Sequence, residues 1–148
     1  MQEQISYDVA IIGCGTAGIF AGYELKKLCP DLRVLALDQG EDIYARRCPI
    51  VAGKVDRCIH CAVCGTMCGF GGAGAFSDGK FNFTAQFGGW LTDYLPAKEV
   101  LDLIDYVDSV NVRFGATTQR YSTQTPAARE LQRRALGFDL HLLQAQCK

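Results

Sequence analysis

A short apolar run that leads directly into three spaced glycines constrains the fold of this chain more than any other feature. Residues 7–18 read YDVAIIGCGTAG, and a helical pattern of apolar residues continues to Lys27. Gly13 permits a tight turn, Gly15 lets bare backbone approach a ligand, and Gly18 allows the helix to pack close to the strand. This order of strand, glycine loop and helix predicts a loop that binds a dinucleotide pyrophosphate at the helix N-terminus.

A second predicted strand, Arg33 to Leu37, is followed by an acidic residue, Asp38, which lies 20 residues after Gly18. An acidic residue at about this separation accepts a hydrogen bond from a ribose hydroxyl. We therefore predict cofactor contacts at Asp38, at the three glycines and at Thr16 and Ala17, where the helix begins. An acid at this position also argues against a cofactor with a phosphorylated ribose, which would favour an arginine.

The composition is typical of a globular protein, with 148 residues, 49% hydrophobic residues and a formal net charge of −1. The sequence has no basic stripe, signal peptide or membrane span, so we expect a cytoplasmic chain without nucleic-acid or membrane partners. Eight cysteines in such a chain indicate metal, cluster or redox chemistry rather than disulfides. Three basic pairs are interpreted as solvated surface: Lys26–Lys27, Arg46–Arg47 and Arg133–Arg134.

The periodicity predicts an α/β fold with an incomplete, Rossmann-type parallel sheet. Its first part is one right-handed βαβ unit. Residues 40–80 lack regular periodicity, which predicts a functional loop region inserted in the fold rather than a core element. The predicted elements are strand Asp8–Ile12, helix Thr16–Leu28, strand Arg33–Asp38, a short strand at Phe81–Thr84, a turn at Gly88–Gly89, a helix from Pro96, a helix from Thr125–Pro126 to Gly137, and a strand at Phe138–Gln144 that includes His141.

Four cysteines between residues 58 and 68 have the spacing C-x-x-C-x-x-C-x-x-x-C, which is typical of segments that hold a [4Fe–4S] cluster. Cys58, Cys61 and Cys64 are therefore predicted ligands. In the ferredoxin pattern the fourth cysteine serves a second cluster and precedes a proline, whereas Cys68 precedes a glycine and the Cys–Pro pair begins at Cys48. The fourth ligand is accordingly either Cys48 or Cys68.

Two alternatives to a cluster remain for these cysteines. One is a structural zinc site, to which His60 could contribute, and the other is a set of reduced or redox-active thiols. The other three cysteines, Cys14, Cys29 and Cys147, have no such partners in sequence and are predicted to act as small hydrophobic residues.

A glycine-rich segment, GFGGAGAFSDGK at residues 69–80, follows the cysteines. So many glycines disfavour a stable helix or a simple strand, so the segment is predicted to serve close backbone contact with an anion or a planar ring. A flexible surface loop is the alternative. Candidate binding residues are Gly72, Gly74, Ser77, Asp78 and Lys80, and no residue is assigned as a general acid or base.

Together these segments resemble the FAD-dependent dehydrogenases of the glutathione-reductase-like superfamily, and more narrowly a bacterial group of NAD(P)/FAD-dependent oxidoreductases. The resemblance rests on DVAIIGCGTAG, ALDQG, CPIVAGKVDRCIHCAVCGTMCGFGGAGAFSDGK and FNFTAQFGGWLTDYL. It implies FAD bound by the three glycines and Asp38, with residues 71–80 near the flavin. It also implies that residues 1–148 are the N-terminal part of a longer protein: an incomplete FAD-binding domain with a Cys/Gly-rich insertion at 46–80.

The function expected from these features is that of an FAD-dependent oxidoreductase, which moves hydride or electrons through a flavin and, if the cysteines hold iron, through a cluster. NAD(P)H is a candidate donor, and the substrate is unassigned. One alternative is a non-catalytic, metal- or cluster-stabilised electron-transfer module. Another is an NAD-binding dehydrogenase domain, because the glycine pattern does not separate NAD from FAD.

Overall fold

The computed structural model describes residues 5–143 and 145–148. The chain divides into two compact units, one ending at Asp78 and one running from Gly79 to Lys148. In the first unit the elements are β1 (Val9–Ile12), α1 (Thr16–Leu28), β2 (Val34–Leu37) and a 3-10 helix (Gly72–Phe76). In the second they are β3 (Asn82–Phe83), a 3-10 helix (Leu91–Asp93), α2 (Ala97–Arg113), α3 (Pro126–Leu136) and β4 (Gln146–Cys147). Among the described residues, no helix combines the length and the apolar character needed to cross a bilayer.

The first unit is built on the predicted βαβ arrangement. Strands β1 and β2 pair in parallel, with Val9 opposite Val34 and Ile12 opposite Leu37, and α1 connects them. Two lysines lie in the last turn of α1, where positive charge stabilises the helix C-terminus. The unit is therefore mixed α/β, compatible with part of a Rossmann-like fold.

The glycine-rich segment forms a 3-10 helix over Gly72–Phe76, so the expectation that it would avoid helical structure is wrong for these five residues. Gly71 caps this helix with a left-handed backbone, at φ 89°, which glycine adopts without a steric penalty. A short 3-10 turn needs only a few i to i+3 hydrogen bonds, so it tolerates glycines that would weaken a longer α-helix.

The second unit combines α2 and α3 with a two-stranded antiparallel sheet, in which Asn82 of β3 pairs with Cys147 of β4. Helix α2 buries Val100 and Val110 on its apolar side. Helix α3 begins as predicted, because the Thr125 side chain accepts a hydrogen bond from the backbone N–H of Ala128 at 3.2 Å. The predicted short strand near residue 82 and both predicted helix starts are confirmed.

The predicted strand at Phe138–Gln144 is wrong: residues 138–143 form no strand, and Gln144 lies outside the described residues. The backbone N–H groups of Phe138 and Leu140 both donate to the carbonyl of Ala135, and Asp139 has a left-handed backbone at φ 57°. These bonds complete the end of α3, so the amides are not available to pair with another strand. His141 is exposed in this segment rather than placed in a sheet.

Candidate dinucleotide site

The three glycines of the first loop lie at the junction between β1 and α1. Gly13 has φ +99°, and its N–H donates to the carbonyl of Leu37 at 2.7 Å. Gly15 is the N-cap of α1. A Cβ atom on Gly18 would lie only 1.9 Å from the carbonyl oxygen of Gly13, so no side chain fits there. The loop therefore depends on glycine both for backbone conformation and for close approach.

The first turn of α1 supplies no negative charge of its own at the helix N-terminus. No side chain caps the helix at Gly15, and its first turn, which includes Thr16 and Ala17, has no acidic residue. The first backbone N–H groups of a helix lack intrahelical partners and carry a partial positive charge. This helix end thus has the character of an anion-binding position.

Asp38 follows β2 and accepts three hydrogen bonds from backbone N–H groups. Its Oδ2 accepts from Cys14 at 2.8 Å, and its Oδ1 accepts from Gly40 at 2.9 Å and from Gly69 at 2.6 Å. The bonds from Gly40 and then Cys14 lower the pKa of Asp38 below its ordinary value, against partial desolvation, and the charge of Arg46 contributes less. The carboxylate joins the first glycine loop, the end of β2 and the glycine-rich segment.

A cavity of about 490 Å³ opens beside this carboxylate. Its walls come from the ends of the two parallel strands and from the end of the cysteine-rich segment, and they comprise Ile12, Gly13, Leu37, Asp38, Gln39, Met67 and Cys68. Ligands of open α/β folds bind outside the carboxyl ends of parallel strands. The cavity lies at that edge of the sheet.

The hydrogen bonds to Asp38 predict a pH-dependent contribution to stability. Because the pKa of Asp38 is lowered in the folded chain, the carboxylate stabilises the fold above the ordinary aspartate pKa, and this contribution disappears as pH falls through the lowered pKa. Asp38→Asn should therefore lower the urea midpoint at neutral pH but make little difference in strong acid. The exposed Asp31→Asn is the matched control, and equal effects of the two variants at neutral pH would contradict the prediction.

The glycine-rich segment packs directly on the first loop. The N–H of Gly71 donates to the carbonyl of Cys14 at 2.9 Å, and a Cβ atom on Gly72 would lie 2.9 Å from the Cα of Gly15. A Cβ on Gly74 would lie 3.5 Å from Oγ1 of Thr16. The structure thus brings the candidates Gly72 and Gly74 to the helix N-terminus. The exposed candidates Ser77 and Asp78 follow the 3-10 helix, and Lys80 belongs to the second unit.

Arg46 anchors this packing, although the sequence placed it on a solvated surface. The side chain is only 3% exposed, and Nη1 donates to the carbonyls of Phe70 at 2.9 Å and Gly72 at 2.8 Å. Its guanidinium also lies 4.8 Å from the ring centroid of Phe76. The solvated interpretation is wrong for Arg46 because a folded glycine-rich segment has backbone carbonyls that need donors, and arginine supplies several from one position. The carbonyls that Arg46 binds lie 24 and 26 residues further along the chain, so no local signal in the sequence indicated this burial.

The structure separates four of the five predicted metal-ligating cysteines from the fifth, Cys68, which lines two other cavities, one of them shared with Arg46 and Gly65. Cys48, Cys58, Cys61 and Cys64 line a cavity of about 450 Å³, together with His60. Cys68 instead lines the cavity beside Asp38. All eight cysteines are free thiols. Among the described residues, no three His, Cys, Asp or Glu side chains are close enough together to hold a metal ion.

Cys64 differs from the other cysteines in its hydrogen bonds. Its sulfur lies 3.2 Å from the hydroxyl oxygen of Thr66. This hydrogen bond, followed by those from the backbone N–H groups of Thr66 and Met67, lowers the pKa of the Cys64 thiol despite partial desolvation. The environment of Cys64 therefore favours a thiolate, the form that binds metals.

Comparison with known proteins supports a broad relation to flavoprotein oxidoreductases. The chain is similar to "Electron transfer flavoprotein-ubiquinone oxidoreductase, mitochondrial" from Oryza sativa subsp. japonica, with 38% identity over 58 residues. The match covers 36% of this chain and 10% of that protein, so the chain matches about a tenth of the relative's length. No protein-family model and no solved structure matches the chain.

Proposed function

We propose that this chain is the FAD-binding part of an FAD-dependent oxidoreductase that moves hydride or electrons through its flavin. The observation that carries the proposal is the placement of Asp38 in one cavity with Gly13, at the carboxyl edge of two parallel strands. The similarity to a flavoprotein oxidoreductase favours the same class.

The residues present fit the diphosphate of a dinucleotide. The first turn of α1 has neither a capping side chain nor an acidic residue, so its N–H groups are suited to a bound anion. Gly15 has no side chain to obstruct a phosphate. In this proposal the main chain at Gly15, Thr16 and Ala17 holds the diphosphate, and Gly18 holds the helix against the strand.

Asp38 fits the adenosine ribose, even though it already accepts three backbone hydrogen bonds. An ionised carboxylate offers about four lone-pair positions, so these amides leave room for a bond from a ribose hydroxyl. The three amides also hold the carboxylate in one orientation, which lowers the entropy cost of binding. Asp38 would therefore be a preorganised acceptor at the wall of the cavity.

The chemistry of the reaction would come from the flavin itself, since bound FAD accepts hydride or single electrons at its ring system. The contribution of this chain would be to bind and orient the cofactor. The glycine-rich segment is suited to that role because its contacts with Cys14 and Gly15 place bare backbone beside the phosphate loop. NAD(P)H is proposed as the electron donor.

The proposal is tested by releasing the cofactor from the full purified chain. We expect acid treatment to release a yellow chromophore that co-elutes with FAD, and titration of the cofactor-free chain with FAD to quench flavin fluorescence. Anaerobic NADH or NADPH should then bleach the visible flavin absorbance. A colourless chain that does not bind FAD but alters the fluorescence of NADH would instead identify a nicotinamide-binding dehydrogenase domain.

A further inference from the structure

We propose that Cys48, Cys58, Cys61 and Cys64 bind one [4Fe–4S] cluster, and that Cys68 is not a ligand. These four cysteines line a single cavity of about 450 Å³. Three of them have the C-x-x-C-x-x-C spacing of cluster-binding segments, and four thiolates complete the usual ligand set. This proposal goes beyond FAD binding and depends on different residues.

A close backbone contact brings Cys48 to the other three cysteines. A Cβ atom on Gly65 would lie 2.2 Å from the carbonyl oxygen of Arg47 and 2.8 Å from its carbonyl carbon. The backbone just after Cys64 is therefore packed against the backbone just before Cys48, at a distance that only glycine permits. This contact joins the upstream Cys–Pro pair to the cysteine-rich segment.

A second glycine contact places Cys68 at the candidate dinucleotide site. A Cβ atom on Gly40 would lie 2.5 Å from the carbonyl carbon of Cys68 and 2.4 Å from the backbone nitrogen of Gly69. The sulfur of Cys68 also accepts a hydrogen bond from Nε2 of Gln39 at 3.0 Å. Cys68 is thus held beside Asp38, so Cys48 is the fourth ligand.

The buried charge of Arg46 favours an anionic group in the cysteine cavity. Nε of Arg46 donates at 2.9 Å to the carbonyl of Gly65, which lines that cavity. Within the described part of the chain, Arg46 forms no ion pair with a carboxylate, and its buried Nη2 has no hydrogen-bond partner. A buried cation without an ion pair is costly, and the charge of Arg46 is offset only in part by the Asp38 carboxylate and the Phe76 ring. A cluster bound by four thiolates carries net negative charge and would lower that cost.

The spacing of the cysteines suits a cluster better than a zinc ion. The cavity also has apolar side chains in its wall, Ile50, Val51, Val55 and Ile59. Structural zinc sites generally use two separated pairs of ligands, whereas here three cysteines follow one another at the same short interval. Among the residues that the structure describes, no three of these side chains are close enough together to hold a metal ion, and metal sites commonly form together with their metal.

The test compares three serine variants of the full chain, purified anaerobically and reconstituted with iron and sulfide. The original chain, Cys68→Ser and the exposed control Cys29→Ser should each hold about four iron and four sulfide atoms. Cys48→Ser should lose most of both, together with the broad visible absorbance and the electron paramagnetic resonance signal after reduction. Far-UV circular dichroism checks that each variant is folded.

Three results would overturn the proposal. The first is that Cys68→Ser loses the cluster while Cys48→Ser keeps it. The second is that the original chain binds one zinc ion and no sulfide. The third is that the folded original chain binds no iron. If Cys48→Ser fails to fold, Cys61→Ser takes its place and must lose the cluster. Iron and sulfide are measured independently of flavin, so a chain that holds a cluster without FAD, or FAD without a cluster, separates this proposal from the proposed function.

Discussion

Replacing Gly18 with alanine is expected to reduce the proposed FAD affinity about a hundred-fold or to prevent the proposed FAD binding altogether. The new Cβ atom would lie 1.9 Å from the carbonyl oxygen of Gly13 and 3.2 Å from Cγ2 of Ile11. The nearest obstacle is backbone, which cannot rotate aside as a flexible side chain can. Overpacking of this kind destabilises a fold by about 1–3 kcal/mol or more. Relieving the overlap requires the loop to shift away from the proposed diphosphate, and a loss of about 2.7 kcal/mol of binding free energy corresponds to about a hundred-fold in affinity.

Gly22→Ala is the matched control, because Gly22 lies one helical turn later in the same helix. Its new Cβ would lie 3.5 Å from Cδ1 of Ile11, which is an ordinary contact. Alanine should even stabilise α1, by up to about 1 kcal/mol, since glycine is a poor helix former. FAD titration and thermal unfolding distinguish the two variants. Normal FAD binding by Gly18→Ala would contradict the proposal that this loop binds the diphosphate of FAD.

Asp108→Asn is expected to destabilise the second unit by about 3 kcal/mol, as for other buried charge pairs that lose one partner. Asp108 is 5% exposed in α2. Its Oδ1 lies 2.6 Å from Nζ of Lys148, and its Oδ2 lies 3.1 Å from Nη2 of Arg120. The Arg120 guanidinium also lies 3.7 Å from the ring centroid of Phe83 in β3. Removing the carboxylate charge would take the ion pair from the buried side chain of Lys148, whereas Arg120 would keep its bond to Asp105 at 2.8 Å.

The pH dependence gives this prediction a second test. Burial by itself would raise the pKa of Asp108, but hydrogen bonds and charges from Lys148 and Arg120 outweigh it and leave that pKa lowered. The ion pairs therefore stabilise the fold above the ordinary aspartate pKa, and this stabilisation is lost as pH falls through the lowered pKa. The difference between Asp108→Asn and the original chain should shrink in acid.

Asp102→Asn provides the control on the same helix. The side chain of Asp102 is 63% exposed and pairs with Lys98 across one helical turn, an arrangement that contributes only about 0.3–0.5 kcal/mol. Urea unfolding gives the size of each change, and hydrogen exchange in α2 shows where stability is lost. Similar losses in both variants would mean that Asp108 acts as an ordinary surface carboxylate.

Helices whose ends are marked by neighbouring residues could be predicted closely from the sequence. Helix α1 has the predicted bounds, and α3 begins at the predicted Thr125–Pro126 pair, because caps, prolines and apolar periodicity act within a few residues of the chain. The same reasoning failed at Phe138–Gln144. There an alternation of apolar residues suggested a strand, but the backbone N–H groups of Phe138 and Leu140 donate to the carbonyl of Ala135 at the end of α3.

The sequence by itself determined the strand–glycine loop–helix order, the acidic residue after β2 and the spacing of the cysteines, since each is a pattern of neighbouring residues. Only the tertiary structure decided that Asp38 binds the amide of Gly69, 31 residues away, that Arg46 is buried, and that Cys48 and Cys68 face different cavities. The physical reason is that these arrangements depend on backbone segments packed against each other at glycines. Which distant segment meets each glycine is settled only when the whole unit folds.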